Sequence, residues 1–336
     1  MAENTEKLSD PKTAFDPLIQ TENIAFAPSE MLTCDSCSRL IPPNRPKCLY
    51  CGNEIVSGIE FATGAIGEGR ILEPWERGYN LVLCEKRGVI DMAQAARKLG
   101  LEEENIRAIL DADSPLPIKR VESERAAATL KIALEEIGLK CTVVSDIDLN
   151  AQTFPRRLIS VKISDGIIRL SEFNSGKTHK IEANELALVV IGVVSKSRID
   201  SLEKRRRKSS SLSINESSTS SDEPVVDLYR HDDPIGFRIQ PTGFDFSCLG
   251  AEMGLLASQN LATLIAKLKD FVPQANVIET YPSVRLALCS VWEVESRRDS
   301  LGMKRVGVGK SGFGSVTSAD NIQQFTKFSR LQWHLL

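Results

Sequence analysis

The chain has 336 residues, of which 42% are hydrophobic and 26% are charged, so it is long enough for two or three globular units with apolar cores. Its 42 basic and 45 acidic residues give a net charge of −3, which excludes the strong overall positive field of a protein that coats nucleic acid. We find no signal-peptide pattern and no apolar run near the roughly 18 residues of a membrane-spanning helix. This predicts a cytoplasmic protein.

Two pairs of cysteines follow residues 1–30, a segment without an apolar period that is predicted to be a disordered tail. Cys34 and Cys37, then Cys48 and Cys51, form a C-x2-C-x10-C-x2-C array. This spacing brings four thiolates together around a tetrahedral ion, which is the preferred ligand set of structural Zn²⁺. Four thiolates leave no place for a catalytic water, so the zinc is predicted to be structural. A redox-active C-x-x-C pair is the alternative, although such pairs normally stand alone at the start of a helix.

The same segment, residues 34–52, resembles the short bacterial zinc-ribbon module with the form C-x2-C-x3-IP-x5-C-x2-CG. Gly52 directly follows the last ligand and is expected to adopt the positive φ that turns the backbone toward the sulfur atoms. The resemblance implies a zinc ribbon over residues 31–58, followed by a glycine-containing linker over 59–76. The chain as a whole resembles a bacterial zinc-ribbon protein.

Residues 77–147 are predicted to form a small domain with the element order β-α-α-β-α-β. Tyr79–Leu83 alternates like a strand, Asp91 is placed to cap a helix that Gly100 ends, and Ser123 is placed to cap a later helix. The domain is therefore expected to begin on a strand and to close on a strand.

This element order, and the apolar spacing of Ala127, Leu130 and Leu134 in the last helix, resemble the C-terminal domain of the bacterial ribosomal stalk protein. A more distant resemblance is to the N-degron adaptor of the Clp protease. Both relatives dock other proteins, so the resemblance implies a docking fold. Their binding motifs are not matched, because Glu102–Glu104 stands where the stalk domain has a basic loop and no histidine precedes His179.

Residues 154–272 are predicted to form a β-rich domain, because strand-like runs are separated by hairpin signals such as Asp165-Gly166. An amphipathic helix around Leu261–Leu268 suggests a pleckstrin-homology-like barrel closed by that helix, with any other α+β arrangement as the alternative. The Ser-rich tract within 203–224 cannot bury enough apolar surface to order itself, and is predicted to be a disordered insertion.

The basic cluster Lys204–Lys208 lies at the start of that insertion and has several interpretations. It could contact nucleic acid or direct nuclear import, mark Ser209 for phosphorylation, or attract an anionic membrane surface. The simplest interpretation is the solvated mouth of a flexible loop.

Residues 273–336 are predicted to form a C-terminal extension. The run Gly307–Gly312 differs from a phosphate-binding loop, because Lys304 occupies the position of the first glycine and no helix pattern follows. We therefore predict a mobile glycine loop. Residues 321–336 carry apolar side chains every three or four positions, which predicts an amphipathic helix that docks on the chain's own core or on a partner.

No catalytic residue is assigned. The three histidines, His179, His231 and His334, are too dispersed for a metal pair, and no nucleophile elbow, dinucleotide fingerprint or paired-carboxylate signature appears. The chain is predicted to be an α+β multidomain protein and not an enzyme.

The predicted function is that of a non-enzymatic zinc-binding adaptor or regulatory protein, which docks other proteins through its small domains. The alternative is a nucleic-acid-associated factor of transcription or translation. In that alternative, phosphate contacts come from the basic cluster and from three residues of the ribbon: Arg39, Arg45 and Lys47.

Overall fold

The computed structural model divides the chain into two compact units, 1–64 and 65–336. It describes residues 32–34, 36–41, 48, 50–51, 53, 72–73, 75–112, 114–205, 212–307 and 310–336. The predicted tail, most of the predicted linker, Gly52 and residues 206–208 of the basic cluster lie outside these residues. The described chain mixes helices and strands, as the sequence predicts.

Unit 1 contains a very short antiparallel ribbon of β1 (Leu32–Thr33) and β2 (Leu40–Ile41), with Thr33 opposite Leu40. Of its described residues, Cys34 and Cys48 form the buried core. Strands of two residues bury too little apolar surface to hold a fold in water, so these two strands need a further source of stability.

Unit 2 begins with a small α/β domain. Its elements are β3 (Tyr79–Lys86), α1 (Met92–Leu99), α2 (Glu103–Leu110), β4 (Leu116–Val121), α3 (Glu124–Glu135) and β5 (Leu139–Ser145). This is the predicted order β-α-α-β-α-β. Strand β3 lies in the centre of the sheet and pairs antiparallel with β4 and with β5.

Local side-chain chemistry sets the ends of these helices. The Asp91 carboxylate accepts a hydrogen bond from the Gln94 backbone N–H, and the Ser123 hydroxyl accepts one from the Ala126 N–H. Gly100 ends α1 in the left-handed conformation at φ 63°, which costs glycine little because it has no Cβ. The three residues that the sequence marks as helix boundaries therefore act as such.

A large sheet follows, with the strand order β13-β14-β9-β10-β11-β6-β7-β8 and with β12 paired to β9. The strands are β6 (Arg156–Ser164), β7 (Ile167–Glu172), β8 (Thr178–Glu182), β9 (Leu186–Arg205), β10 (Leu212–Arg230), β11 (Asp233–Ile239), β12 (Asn276–Ile278), β13 (Glu295–Gly307) and β14 (Lys310–Asp320). The remaining helices are α4 (Asp146–Leu149), α5 (Ala257–Phe271), α6 (Tyr281–Leu288) and α7 (Ile322–His334).

The predicted pleckstrin-homology-like barrel differs from this arrangement. Among the described strands, β8 pairs only with β7 and β13 pairs only with β14, so the sheet does not close. The sequence order of strands followed by a helix is correct, but it cannot show that β13 and β14, from the predicted C-terminal extension, join the same sheet. Pairing between strands that are distant in sequence leaves no local pattern.

Successive residues of β9 point to opposite faces of the sheet and pack into two different hydrophobic cores. Leu188 and Val190 belong to a cluster that includes α7, α6 and the α/β domain, whereas Val189 packs with α5. The predicted amphipathic C-terminal helix is present as α7, and its apolar face is buried against this core. Helix α7 thus joins the α/β domain to the sheet.

Gly192 explains how closely α7 approaches the sheet. A Cβ added at this position would lie 2.2 Å from the Phe325 ring, a distance that no real side chain tolerates. The absence of a side chain on β9 therefore admits the Phe325 ring.

A buried ion pair also connects the sheet and α7. The Arg238 guanidinium donates two hydrogen bonds of 2.7 Å to the Asp227 carboxylate and one of 3.1 Å to the Thr326 hydroxyl. Asp227 and Arg238 are both buried. Such a pair is tolerated in a core because each charge is neutralised and hydrogen-bonded.

The far half of the β9–β10 hairpin forms a four-stranded extension with β13 and β14, which we name the β-arm. It comprises residues 196–205, 212–222, 295–307 and 310–320. Most of its described side chains are exposed or half-buried, and none belongs to the two core clusters.

Two predictions are therefore wrong. Residues 203–205 and 212–224, predicted to be disordered, are strand residues of β9 and β10, and Gly312, predicted to be in a mobile loop, lies in β14. A serine-rich strand needs no apolar face when its backbone pairs with a neighbour along its whole length, and composition does not reveal such pairing.

Candidate metal centre

The four predicted ligands of the zinc ribbon come together in unit 1. The sulfur atoms of Cys34, Cys37, Cys48 and Cys51 all lie within 4.8 Å of one another. Two of the separations are 3.6 Å, from Cys34 Sγ to Cys51 Sγ, and 3.5 Å, from Cys37 Sγ to Cys48 Sγ. All four cysteines are free thiols, so no disulfide competes with a metal for them.

Both cysteine pairs are built on the same turn. The backbone N–H of Cys34 donates to the Arg39 carbonyl at 3.0 Å, and that of Cys48 donates to the Asn53 carbonyl at 2.9 Å. In each pair the first cysteine is therefore bonded to the residue five positions later. This repeat directs the two sulfur atoms of each pair to one side of the turn.

Ser38 follows the second cysteine of the first pair, as Gly52 follows that of the second pair. Its backbone has φ 57°, in the left-handed region that usually favours glycine. Its N–H donates to the Cys34 carbonyl at 2.8 Å. The sequence marks Gly52 as a turn residue but gives no such signal for Ser38, because serine is common in many conformations.

The protonation of the cluster is uneven. The Tyr50 backbone N–H approaches Cys48 Sγ at 3.4 Å and, with other donors, lowers the pKa of Cys48 to about 6. A backbone hydrogen bond at Arg39 lowers the pKa of Cys37, but burial and the neighbouring thiols outweigh it and raise that pKa to about 12. A bound cation would release the remaining thiol protons and stabilise all four thiolates together.

The geometry fits a tetrahedral ion. A metal with four sulfur ligands at about 2.3 Å requires sulfur atoms about 3.8 Å apart. The separations of 3.6 Å and 3.5 Å are slightly shorter than this. The four cysteines could therefore hold one metal ion. With four protein ligands the coordination sphere is complete, and the ion has no position for a reacting molecule.

A basic residue and an aromatic residue lie together beside the cluster. The Arg39 guanidinium lies 4.7 Å from the centre of the Tyr50 ring, and 57% of Tyr50 is exposed. Sequence reasoning identified Arg39 as a candidate phosphate contact but missed Tyr50, because a single aromatic residue between two ligands carries no pattern.

The histidines do not assemble a second metal site. His179 Nε2 lies 2.7 Å from the Glu172 carboxylate and its ring packs on Phe237, while His231 is exposed in the turn after β10. Within the part of the chain that the structure describes, the four cysteines are the only group of three or more metal-ligating side chains close enough to share an ion.

Two further cysteines lie in the α/β domain. Cys141 is buried, and burial raises its pKa to about 12, so it packs as a small apolar core residue. Cys84 is exposed. It lies in the second half of β3, where the burial of the strand ends.

No protein-family model, curated protein or solved structure matches this chain. The cysteine spacing and geometry fit a zinc ribbon, whereas the resemblance of residues 77–147 to the ribosomal stalk domain stays a prediction from sequence. In the described segments, no helix combines the length and the apolar composition needed to cross a membrane.

Proposed function

We propose that this chain is a non-enzymatic zinc-binding adaptor that docks another protein along the β-arm. The main support for this proposal is the unpaired outer edge of β13 in the β-arm. Strand β13 pairs with β14 on one side, and no described strand pairs with its other side. A strand edge with free N–H and C=O groups can accept an extended segment of another protein as an additional strand.

The thiol cluster supports zinc as the bound metal. Tetrahedral sets of four sulfur ligands are typical of zinc or of iron–sulfur centres, and two C-x2-C knuckles with ten residues between them are typical of zinc. A closed zinc site supplies structure and no reaction. This supports a role in which unit 1 is a rigid surface rather than a catalyst.

Charge favours an acidic partner segment on β13. The strand contains four basic and two acidic residues in its sequence ESRRDSLGMKRVG, and Arg297 and Arg298 are exposed. Arg297 is paired with Asp299 at 2.9 Å, whereas Arg298 donates to the Ser315 hydroxyl at 3.3 Å. Exposed arginines beside a free strand edge complement aspartate and glutamate in an added strand.

Exposed apolar side chains lie on the same arm. Met303 and Phe313 are opposite each other on neighbouring strands and are 67% and 60% exposed. They lie in the same row, on one face of the arm. An added segment could therefore gain apolar contact as well as backbone hydrogen bonds.

The test is photo-crosslinking in the cell that makes the protein. The photoreactive residue p-benzoylphenylalanine replaces Met303 on the edge strand or, as a matched control, Met253, which is 53% exposed outside the arm. We expect a covalent adduct with a second protein from position 303 and not from position 253. The double change Arg297→Glu and Arg298→Glu should reduce that adduct several-fold.

The outcomes separate the possible occupants. Equal adducts at positions 303 and 253 would show that the arm is not a docking site. If position 303 forms adducts only with other copies of this chain, the arm mediates self-assembly and the adaptor proposal is wrong. Self-assembly has a physical basis, because the outer edge of β10 carries acidic residues that could complement β13.

A second candidate function is supported by the Arg39–Tyr50 pair. An exposed aromatic ring beside an arginine is an arrangement on which unpaired bases stack. A mobility-shift titration with single-stranded RNA and DNA tests it at several salt concentrations. Binding that weakens with salt and is lost in Tyr50→Ala would favour this candidate over the adaptor.

A further inference from the structure

A cavity of about 340 Å³ lies in unit 2 between the α/β domain and the C-terminal helices. The turn from α1 to α2, including Gly100 and Glu102, forms one wall, and residues 289–295 and α7 form the others. This volume is at the lower end of the range for small-molecule sites, roughly 300–1,000 Å³. The cavity is distinct from the cysteine cluster, and of the β-arm only Glu295, the first residue of β13, lines it.

Two lysines line this cavity without a carboxylate partner. Lys327 is half-buried on α7 and, in the described chain, makes neither a hydrogen bond nor an ion pair. Lys119 is also half-buried, and its ammonium donates to the Leu99 carbonyl at 2.8 Å. A half-buried ammonium without a partner is costly, so a ligand that neutralises Lys327 would be bound favourably.

The third cation of the lining is already neutralised. The Arg120 guanidinium donates to Asp146 Oδ2 at 2.7 and 2.9 Å and also to the Leu72 and Glu73 carbonyls. Arg120 therefore holds Leu72 and Glu73 against the domain. It adds little free positive charge to the cavity.

Three glutamates line the same cavity. Glu102, Glu293 and Glu295 are exposed, whereas both lysines are half-buried. Burial lowers the pKa of Lys327, and Arg120 also lowers it, while Asp146 and Glu295 raise it. The cavity thus has cationic groups in its less accessible part and anionic groups where it meets solvent.

We propose that this cavity binds a small zwitterion, a molecule of amino-acid size with a carboxylate at one end and a cationic group at the other. The carboxylate pairs with Lys327, supported by Lys119, and the cationic group faces the glutamates. A simple anion is repelled by the three glutamates, and a simple cation leaves Lys327 unpaired. A molecule with both charges satisfies both sets of groups.

Calorimetric titration of the full chain tests this with matched probes. Glycine, 4-aminobutanoate and 6-aminohexanoate carry both charges at increasing separation, whereas butanoate and butylammonium carry one each. We expect at least one zwitterion to bind, with butanoate and butylammonium about tenfold weaker because each loses one charged contact.

Variants assign the binding to the cavity. Lys327→Met and Lys327→Gln should each weaken the best zwitterion about tenfold. Lys180→Met, which removes an exposed lysine on β8 away from the cavity, should leave it unchanged. The pair Glu293→Gln and Glu295→Gln should remove the preference for the zwitterion over butanoate.

Binding of none of the three zwitterions would overturn the proposal, as would butanoate binding as tightly as the best of them. Equal effects of the Lys327 and Lys180 variants would place any binding elsewhere. Circular dichroism checks that the Lys327 variants fold. If they do not, the zwitterion site is still tested by the probe series on the unchanged chain and by the glutamate variants.

Discussion

In unit 1 the buried core of the described residues consists of cysteine thiols, whereas in unit 2 two clusters of aliphatic and aromatic side chains are buried on opposite faces of a sheet. Burial of apolar area contributes about 25 cal/mol per Å², so the two clusters give unit 2 a source of stability that the described residues of unit 1 do not show. The two units are therefore expected to fold for different reasons. We expect unit 1 to require a bound ion and unit 2 to fold without one.

Removal of the metal is the change with the largest expected effect. Binding of a structural zinc supplies about 10–16 kcal/mol to a small zinc-dependent fold, so chelation or Cys48→Ser should unfold unit 1 completely. Amide hydrogen exchange measures this: residues 32–53 should lose protection, and β9 and α7 should keep theirs.

Cys84→Ser is the matched control for that experiment, because Cys84 is an exposed cysteine of unit 2. It should leave the exchange of both units unchanged. Loss of protection in unit 2 upon chelation would contradict this difference between the units, since it would make the metal a requirement for both folds.

The next largest effect is expected from the buried ion pair of unit 2. Asp227→Ala leaves the Arg238 guanidinium buried without its counterion, which typically costs 3–5 kcal/mol. Urea unfolding should show this loss of stability in unit 2. The amide hydrogen exchange of residues 32–53, and its response to chelation, should stay unchanged. Asp232→Ala, at an exposed position, should cost about 0.5 kcal/mol or less.

A smaller loss is expected where α7 touches β9. Gly192→Ala forces a methyl group into the Phe325 ring, and overpacking of this kind costs about 1–3 kcal/mol. Gly254→Ala is the control, because an added Cβ there would lie 3.5 Å or more from its neighbours. The double variant Gly192→Ala with Phe325→Leu should recover part of the loss, and an additive result would contradict the packing argument.

The smallest predicted change lies in the first cysteine turn. Ser38→Gly relieves the left-handed strain of a residue with a side chain, which is worth about 1–2 kcal/mol, against a glycine entropy cost of about 0.5–1 kcal/mol. Competition with a chelator should therefore show metal affinity raised about twofold to fivefold. Ser38→Ala keeps the Cβ and should bind metal as the unchanged chain does.

The parts that could be predicted from sequence are those with local causes. Spacing alone brings together Cys34 and Cys37, and local hydrogen bonds set the boundaries at Asp91 and Ser123. Helix α7 follows from the periodicity of Phe325 and its neighbours. Each of these features depends on residues within a few positions of one another.

The remaining features depend on contacts between distant segments. The Trp292 indole donates to the Asn80 side chain across 212 positions of sequence, and the cavity joins Lys119 to Lys327. The β-arm could not be predicted from sequence, because its serine-rich strand β10 is stabilised by backbone pairing with β9. Lys327 gives no local signal for the cavity, because α7 also contains polar residues such as Gln324 and Arg330. Its place in the cavity is visible only in the fold.

X-ray absorption at the zinc edge of the purified chain shows directly whether the four cysteines hold zinc. We expect one zinc ion per chain with four sulfur neighbours at about 2.3 Å and no nitrogen or oxygen neighbour. A chain without stoichiometric metal, or a zinc ion with a water or nitrogen ligand in place of a thiolate, would contradict it.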